Sequence, residues 1–438
     1  MGAGNAPAQG VSSRAAHYPG IGNLHQMPIE KPYLKFYQGA QQYGDIVGLK
    51  TGTGNLVLLN TPALVHELFD KRGAICSDRP VNHILTKHVF SGPEEKSIAI
   101  LQYDGYYRRW RKHWTLPVPL VATTGERLSD MPADYADKLC HSQDELLDLI
   151  MPGAASPARY ARKLLCDDAE NYLVGAKKTY AQIEKDPESV GLDSLLPKIM
   201  KEQAAGRDKN KFTETELAYV GQAAVGAAVD TTLATFKNLM VAFAAFPEKL
   251  AKAQEKMDRV LRWRPTTPQA LPHVLTRDEH PRPYLFPEGT MFIANVWTIH
   301  QNEEEYERPH DFIPERFLDN PFGLRPSVAA ADEKLENSRC RALYAFGSGR
   351  RQCPGEQFAF TSVLLTASKL VWAYDIRPPP GGGIFDVSVE TSFKDGTVTQ
   401  PIRLEVAFRA RSEEKRLGVV ADAQRTEHIA RDLLGLGF

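Results

Sequence analysis

The chain predicts a mainly α-helical protein with small β-sheets, and three observations carry that expectation. A long apolar stretch of helical character runs from Phe212 to Phe246, behind a capping pattern and ahead of Pro247. A Thr-Gly-Thr-Gly step separates two short apolar runs near the N-terminus, the pattern of a hairpin. A glycine-rich segment with a single cysteine leads into another apolar helix, and only short strand-like pieces such as IRLEVAF follow it.

Taken in order, residues 1–30 are rich in Gly, Pro and Ala and read as a flexible N-terminal segment, 31–412 as one domain, and 413–438 as a charged terminal helix. The hairpin strands are Ile46–Leu49 and Leu56–Leu59. TPALVHELFDKRG then predicts a helix capped by Thr61, with Pro62 in its first turn and Gly73 at its end. Val81–Asp104 is loop-like, and Tyr106 to about Lys211 is mostly helical. Thr213 and Glu216 form a capping box for the long helix, and PEKLAKAQEKMDRVLRW predicts a second helix up to Arg264-Pro265.

Of 438 residues, 42% are hydrophobic and 24% charged, enough for an ordinary globular core. Lys and Arg number 53 against 54 Asp and Glu, a balance that gives no reason to expect nucleic acid as a partner. The five cysteines are widely spaced, with no CxxC pair, which argues against a disulfide framework or zinc cluster and for a reducing compartment. The first twenty residues hold no apolar run of signal or anchor type, and Ala218–Phe246 carries Asp230 and Lys237 in its interior. The sequence as written reads as soluble and cytoplasmic.

The chemistry concentrates in FGSGRRQCPGEQFA, Phe346–Ala359. Pro354 suits the first position of a helix, which sets Cys353 at a helix N-terminus where backbone amides favour a thiolate. Gly347 and Gly349 permit a tight turn that brings further amides near the sulfur, and Arg350 and Arg351 add positive charge for carboxylates. A nucleophile needs a base, and no His lies nearby in sequence, although one could approach in space. Zinc needs more ligands, and no GxxxxGK[ST] phosphate loop is present. A thiolate as axial ligand to haem iron, with arginine on the propionates, uses every feature; a small buried side chain is the plain alternative.

The stretch resembles the haem-binding signature of the cytochrome P-450 superfamily, FxxGxRxCxGxxxA: Phe346, Gly349, Arg351, Cys353, Gly355 and Ala359 fill every fixed position. The doubled arginine and Cys-Pro-Gly resemble fungal microsomal members, and KPYLKFYQGAQQYGDIVGLKTG resembles the O-methylsterigmatocystin oxidoreductase group. The resemblance implies an α+β fold with haem between a long central helix and the helix after the cysteine. It implies a monooxygenase that takes electrons from NADPH through a cytochrome P-450 reductase and puts one atom of O2 into a small organic, secondary-metabolite substrate. The cofactor is then haem b, iron protoporphyrin IX, with Cys353 as the metal ligand. Family members are usually anchored to the endoplasmic reticulum, whereas this chain shows no anchor.

In the long helix, Ala223, Ala227, Asp230, Thr231 and Ala234 share one stripe. AAVDTT resembles the family's oxygen-activation motif, which assigns Thr231 the oxygen-binding hydroxyl and Asp230 the acid of a proton relay, with Ala228 in place of the usual glycine. PHVLTRD places His273 where the family offers a group to a haem propionate; Arg351 matches a second propionate contact, and PERF brings the meander arginine, Arg316.

Two motifs depart from the pattern. LRWRP supplies the arginine of ExxR, Arg262, but Arg259 stands where the glutamate belongs; Asp258, one turn before Arg262, is a partial substitute. WRKHW keeps Trp110 of WxxxR, while Trp114 replaces its arginine. The text passes from AQEKMDRV to LRWRP, and from WRKHW to TLPVPLVATTG, without the segments the family places between. A chain with such internal deletions has a second expectation beside the enzyme, a relic that keeps the signature without retaining haem.

Overall fold

The computed structural model describes most of residues 18–113, 169–185, 195–207, 211–249, 258–317, 322–331, 343–381 and 386–433. Helix α1 (Pro32–Tyr43) buries Tyr33, Phe36 and Ala40, spaced for one face, and ends at Gly44, whose φ of 87° suits glycine. Strands β1 (Ile46–Thr51) and β2 (Gly54–Leu59) form the expected hairpin, with Ile46 opposite Leu59. Strand β2 also pairs in parallel with β4 (Met291–Ala294), and β3 (His273–Val274) closes that sheet antiparallel to β4. The strand order is β1-β2-β4-β3, so the sheet ties the N-terminal hairpin to a segment more than two hundred residues away.

After β2 the chain enters α2 (Pro62–Val65) and then a π-helical turn over His66–Lys71. Thr61 takes the extended N-cap conformation, but its hydroxyl makes no capping bond, which corrects the sequence expectation. The described residues of 81–104 are loop apart from a helical turn at 83–84 that runs into a π turn at Leu85–Val89, and α3 (Gly105–His113) follows. Helix α4 (Leu195–Ala204) precedes the long α5 (Glu214–Ala245), whose 32 residues span roughly 48 Å. At the start of α5, Thr213 accepts from the Glu216 amide at 3.2 Å while Glu216 accepts from the Thr213 amide at 2.9 Å. The capping box is present as the sequence predicts.

Of the second helix, a 3₁₀ turn at Pro247–Lys249 and α6 (Asp258–Trp263) are described; the residues between lie outside the described set, as do the side chains of Asp258 and Arg259. Trp114 and the segment after it also lie outside. Helix α7 (Val296–His300) is wholly buried. The helix after the cysteine, α8 (Glu356–Ala373), begins at Glu356 with Gly355 as N-cap. Pro354 is therefore not its first residue. Pro354 disfavours helical backbone at Cys353, and the segment needs two more residues to turn into the helix.

The main core joins these elements along one seam. Leu239, Met240, Val241 and Phe243 of α5, Val260, Leu261 and Trp263 around α6, and Val363, Ala367 and Val371 of α8 belong to one buried cluster. Burial of one such side chain contributes about 1.5–3 kcal/mol. Beyond α8, β5 (Tyr374–Arg377) pairs antiparallel with β6 (Ala407–Ala410), and α9 (Glu413–Leu433) lies against α8 through a Lys369–Asp422 ion pair at 2.5 Å. No helix among the described residues is long and apolar enough to cross a membrane.

Candidate cofactor site

The cysteine loop is shaped by two glycines and closed by its own backbone. Gly347 and Gly349 have φ of 72° and 65°, a region that side chains strain to reach. At Gly349 a Cβ would lie 2.0 Å from the carbonyl oxygen of Phe69, so the π turn after β2 presses directly on the loop. The Cys353 amide donates to the Phe346 carbonyl at 2.8 Å, and the Phe346 ring packs on Phe360 of α8. Together these contacts fix the sulfur just ahead of α8.

Cys353 is exposed, yet protein crowds it closely enough that burial is the largest influence on its thiol. That combination describes a side chain in a recess rather than on an outer face. Burial raises the thiol pKa, while the Gly355 amide and the charge of Arg111 pull it down, and burial prevails. The sequence expectation that loop amides and arginines alone keep the sulfur anionic is corrected: the amides are fewer than expected because α8 starts three residues on. A bound cation would supply the missing stabilisation.

Arg351 is buried. Its Nε donates to the Ser77 carbonyl at 2.7 Å, its Nη2 to the Leu101 carbonyl, and its guanidinium lies 3.8 Å from the centroid of Tyr107. Its Nη1 is buried with no hydrogen-bond partner. Trp110 of α3 is wholly buried, T-shaped against Phe212 at 6.4 Å, and its indole Nε1 likewise has no partner. These are the orphaned donors that a group carrying carboxylates would satisfy.

His273 stacks on Phe69 at 3.9 Å, and its Nδ1 donates to the Cys76 carbonyl at 2.8 Å. Burial, then the charge of Arg79, hold it neutral with a pKa well below the usual 6.5. With its Nδ1 proton on the Cys76 carbonyl, neutral His273 leaves Nε2 as an acceptor, so it can donate to a propionate only by taking up a proton at Nε2 when the carboxylate binds. Arg79, which the sequence reading passed over, is buried and fastens the same region by donating to the carbonyls of Ala99, Leu271 and Pro272. Its signal was a lone arginine before proline in SDRP, too common to single out.

On α5 the predicted stripe divides. Ala223, Asp230 and Ala234 are buried, whereas Ala227 is exposed and Ala228 and Thr231 are half-buried in a helix otherwise largely enclosed. Thr231 Oγ1 donates to the Ala227 carbonyl at 2.6 Å. The seam between α5 and α8 lies after Thr231 on one helix and after Cys353 on the other. Exposed small residues on α5, an exposed sulfur in a recess and two orphaned donors fit a flat, dianionic cofactor bound through its metal. The residues present fit haem.

The comparisons agree. The cytochrome P-450 family model matches residues 15–145 and 260–407, well over half of the chain, while leaving out the interval that holds α5. The chain is 28% identical to the cytochrome P-450 monooxygenase GrgG of a Penicillium species, over 95% of this chain and 90% of that protein. It is 24% identical to the cytochrome P-450 monooxygenase PatI of Aspergillus clavatus, over 94% of this chain and 90% of that protein. The first alignment runs over 513 residues, more than the 438 of the chain, so that relative carries internal segments missing here. A zebrafish cytochrome P-450, solved with abiraterone, superposes with a TM-score of 0.59 at 22% identity, covering 87% of this chain and all of that one, which shows the fold. With its loop geometry, its fold and its matched sequence in agreement, the chain belongs to the cytochrome P-450 family of haem-dependent oxidoreductases, of the fungal monooxygenase type.

Proposed function

We propose that this chain is a haem-thiolate monooxygenase that hydroxylates a small organic substrate of fungal secondary metabolism, with electrons from NADPH delivered by a partner reductase. The observation that carries the reading is the recessed, exposed sulfur of Cys353 beside the buried, unpartnered Nη1 of Arg351. Cys353 would hold the iron; Arg351, Trp110 and His273 would meet the propionates, with Phe346, Gly347 and Gly349 shaping the loop. Haem supplies the activation of O2 and the electron push from sulfur. Thr231, its hydroxyl proton committed to Ala227, offers oxygen lone pairs outward and orients a proton donor, and the buried Asp230 is the relay acid next to it. Because ordinary fungal members use the same chemistry on varied products, the reading names a substrate class and no compound.

The experiment is the reduced, CO-bound absorption spectrum of purified protein. A red-shifted Soret band of thiolate type supports the reading, and Cys353→Ala should abolish it. Absence of haem after reconstitution favours the relic. One observation favours that second reading: Arg262 is 1% exposed and, among the described residues, pairs with no carboxylate, only with the carbonyls of His300 and Pro309.

A further inference from the structure

Arg262, buried, and Arg316, half-buried, meet as a cationic pair on one short run of backbone. Arg262 donates from Nη1 to the His300 carbonyl at 2.7 Å and from Nη2 to the Pro309 carbonyl at 3.0 Å. Arg316 donates from Nη1 to the Glu307 carbonyl at 2.8 Å and from Nη2 to the Arg308 carbonyl at 3.2 Å. The two guanidiniums therefore hang on the carbonyls of three consecutive residues, 307–309, with the Tyr306 ring 5.0 Å from the Arg262 charge. Each arginine keeps a buried Nε–H with no hydrogen-bond partner.

No carboxylate forms an ion pair with either arginine among the described residues. Glu307 and Asp311 act on Arg316 only at a distance, and Asp311 pairs with Arg308 at 3.6 Å. After burial, the charge of Arg316 is the largest influence lowering the Arg262 pKa. Carbonyl oxygens satisfy hydrogen bonds but carry no net charge, so among the described residues a buried and a half-buried positive charge stand here without a paired anion. The cost falls on the buried Arg262, whose charge a bound counter-ion would offset. The donors left over are N–H groups on planar cations, which suit a halide or a small carboxylate.

We propose that the Arg262–Arg316 pair is a binding site for a small monovalent anion of the chloride or formate kind, held by the two free Nε–H groups. The anion takes the role of a missing carboxylate and locks α6 to the 306–316 segment. It binds the folded chain alone, because the unfolded chain separates the two arginines, so it raises stability in a saturable manner.

The test is thermal unfolding of the full chain at constant ionic strength, with sodium gluconate replaced stepwise by sodium chloride or by sodium formate. Saturable rises of about 3 °C with either anion are expected. Arg259→Glu puts a carboxylate one turn before Arg262 and should leave a chain that no longer responds to chloride. A wild type indifferent to both anions, or an equal response in wild type and Arg259→Glu, overturns the proposal. Loss of a lasting internal partner is tested by Asp258→Asn: if that variant alone gains the chloride response, Asp258 and not an outside anion is the counter-charge. Should Arg259→Glu fail to fold, chloride-35 NMR of the wild type decides. Line broadening relieved by formate supports the site, and no broadening refutes it. None of these readouts depends on haem.

Discussion

Thr231 donates its hydroxyl to the carbonyl oxygen of Ala227, one turn back on α5, at 2.6 Å. The bond spends the hydroxyl proton within the helix and turns the oxygen lone pairs outward, beside the exposed Ala227. A residue so placed accepts hydrogen bonds and orients a donor; it does not itself act as a freely rotating acid.

Thr231→Val should therefore leave haem binding intact while separating oxygen consumption from product formation. Product per NADPH consumed is expected to fall about tenfold or more, whereas Thr231→Ser should hold near wild type. The measurement is product yield against NADPH loss, with the CO-bound spectrum as control. Equal coupling in the valine variant removes Thr231 from the proton relay.

Gly349→Ala should damage the cysteine loop outright. The added methyl would meet the Phe69 carbonyl at 2.0 Å while the backbone is held at a φ of 65°. Strain and clash together cost about 3 kcal/mol or more. Denaturant unfolding of the variant reads that loss. Gly347→Ala meets no atom closer than 3.9 Å and should lose less, so the order of the two variants is itself a check.

The contrast between these glycines marks how far the sequence could be read. FGSGRRQCPGEQFA announced the loop, and its glycines, because positive φ is a local property of a few residues. That Gly349 abuts Phe69, 280 positions earlier, depends on a π turn that helical periodicity does not reveal. The hairpin and the capping box of α5 were equally local and legible. The parallel pairing of β2 with β4 was not, because nothing in two short apolar runs encodes their partner. Cys353 stood out in the sequence as a candidate ligand, but its titration could not be read there, because it follows from how closely the fold encloses the sulfur. Tyr107 beneath Arg351 and Arg79 beside His273 belong to the same class, contacts made by distant segments.

Thr213→Ala should shorten the reach of α5 at its first turn. The substitution removes the hydroxyl that accepts from the Glu216 amide and a contact to Glu94, leaving Glu216 bonded to the Thr213 amide and to Arg109 of α3. A loss of about 1 kcal/mol is expected, read by denaturant unfolding, with Thr213→Ser close to wild type. A variant as stable as the parent would mean that the Arg109–Glu216 contact alone holds this end.

Acid should weaken the fold through its buried histidines. His300 is fully enclosed between α6 and Tyr344, and burial, then the charge of Arg262, push its pKa from 6.5 down to about 3, against a smaller opposite pull from the Leu261 backbone. The folded chain therefore keeps His300 neutral at a pH where the unfolded chain has already protonated it. Stability is greatest above pH 6.5, falls as pH drops below that value and levels off only near 3. Between pH 7 and 5 this one residue accounts for about 2 kcal/mol. His273, lowered for the same reasons by burial and Arg79, adds loss of the same sign. Urea midpoints at pH 7, 6 and 5 measure the slope, and His300→Gln, which keeps an acceptor for the Tyr344 amide, should flatten it by that amount. An unchanged slope in the glutamine variant would place the titration elsewhere, and a rise in stability with acid would contradict a neutral His300.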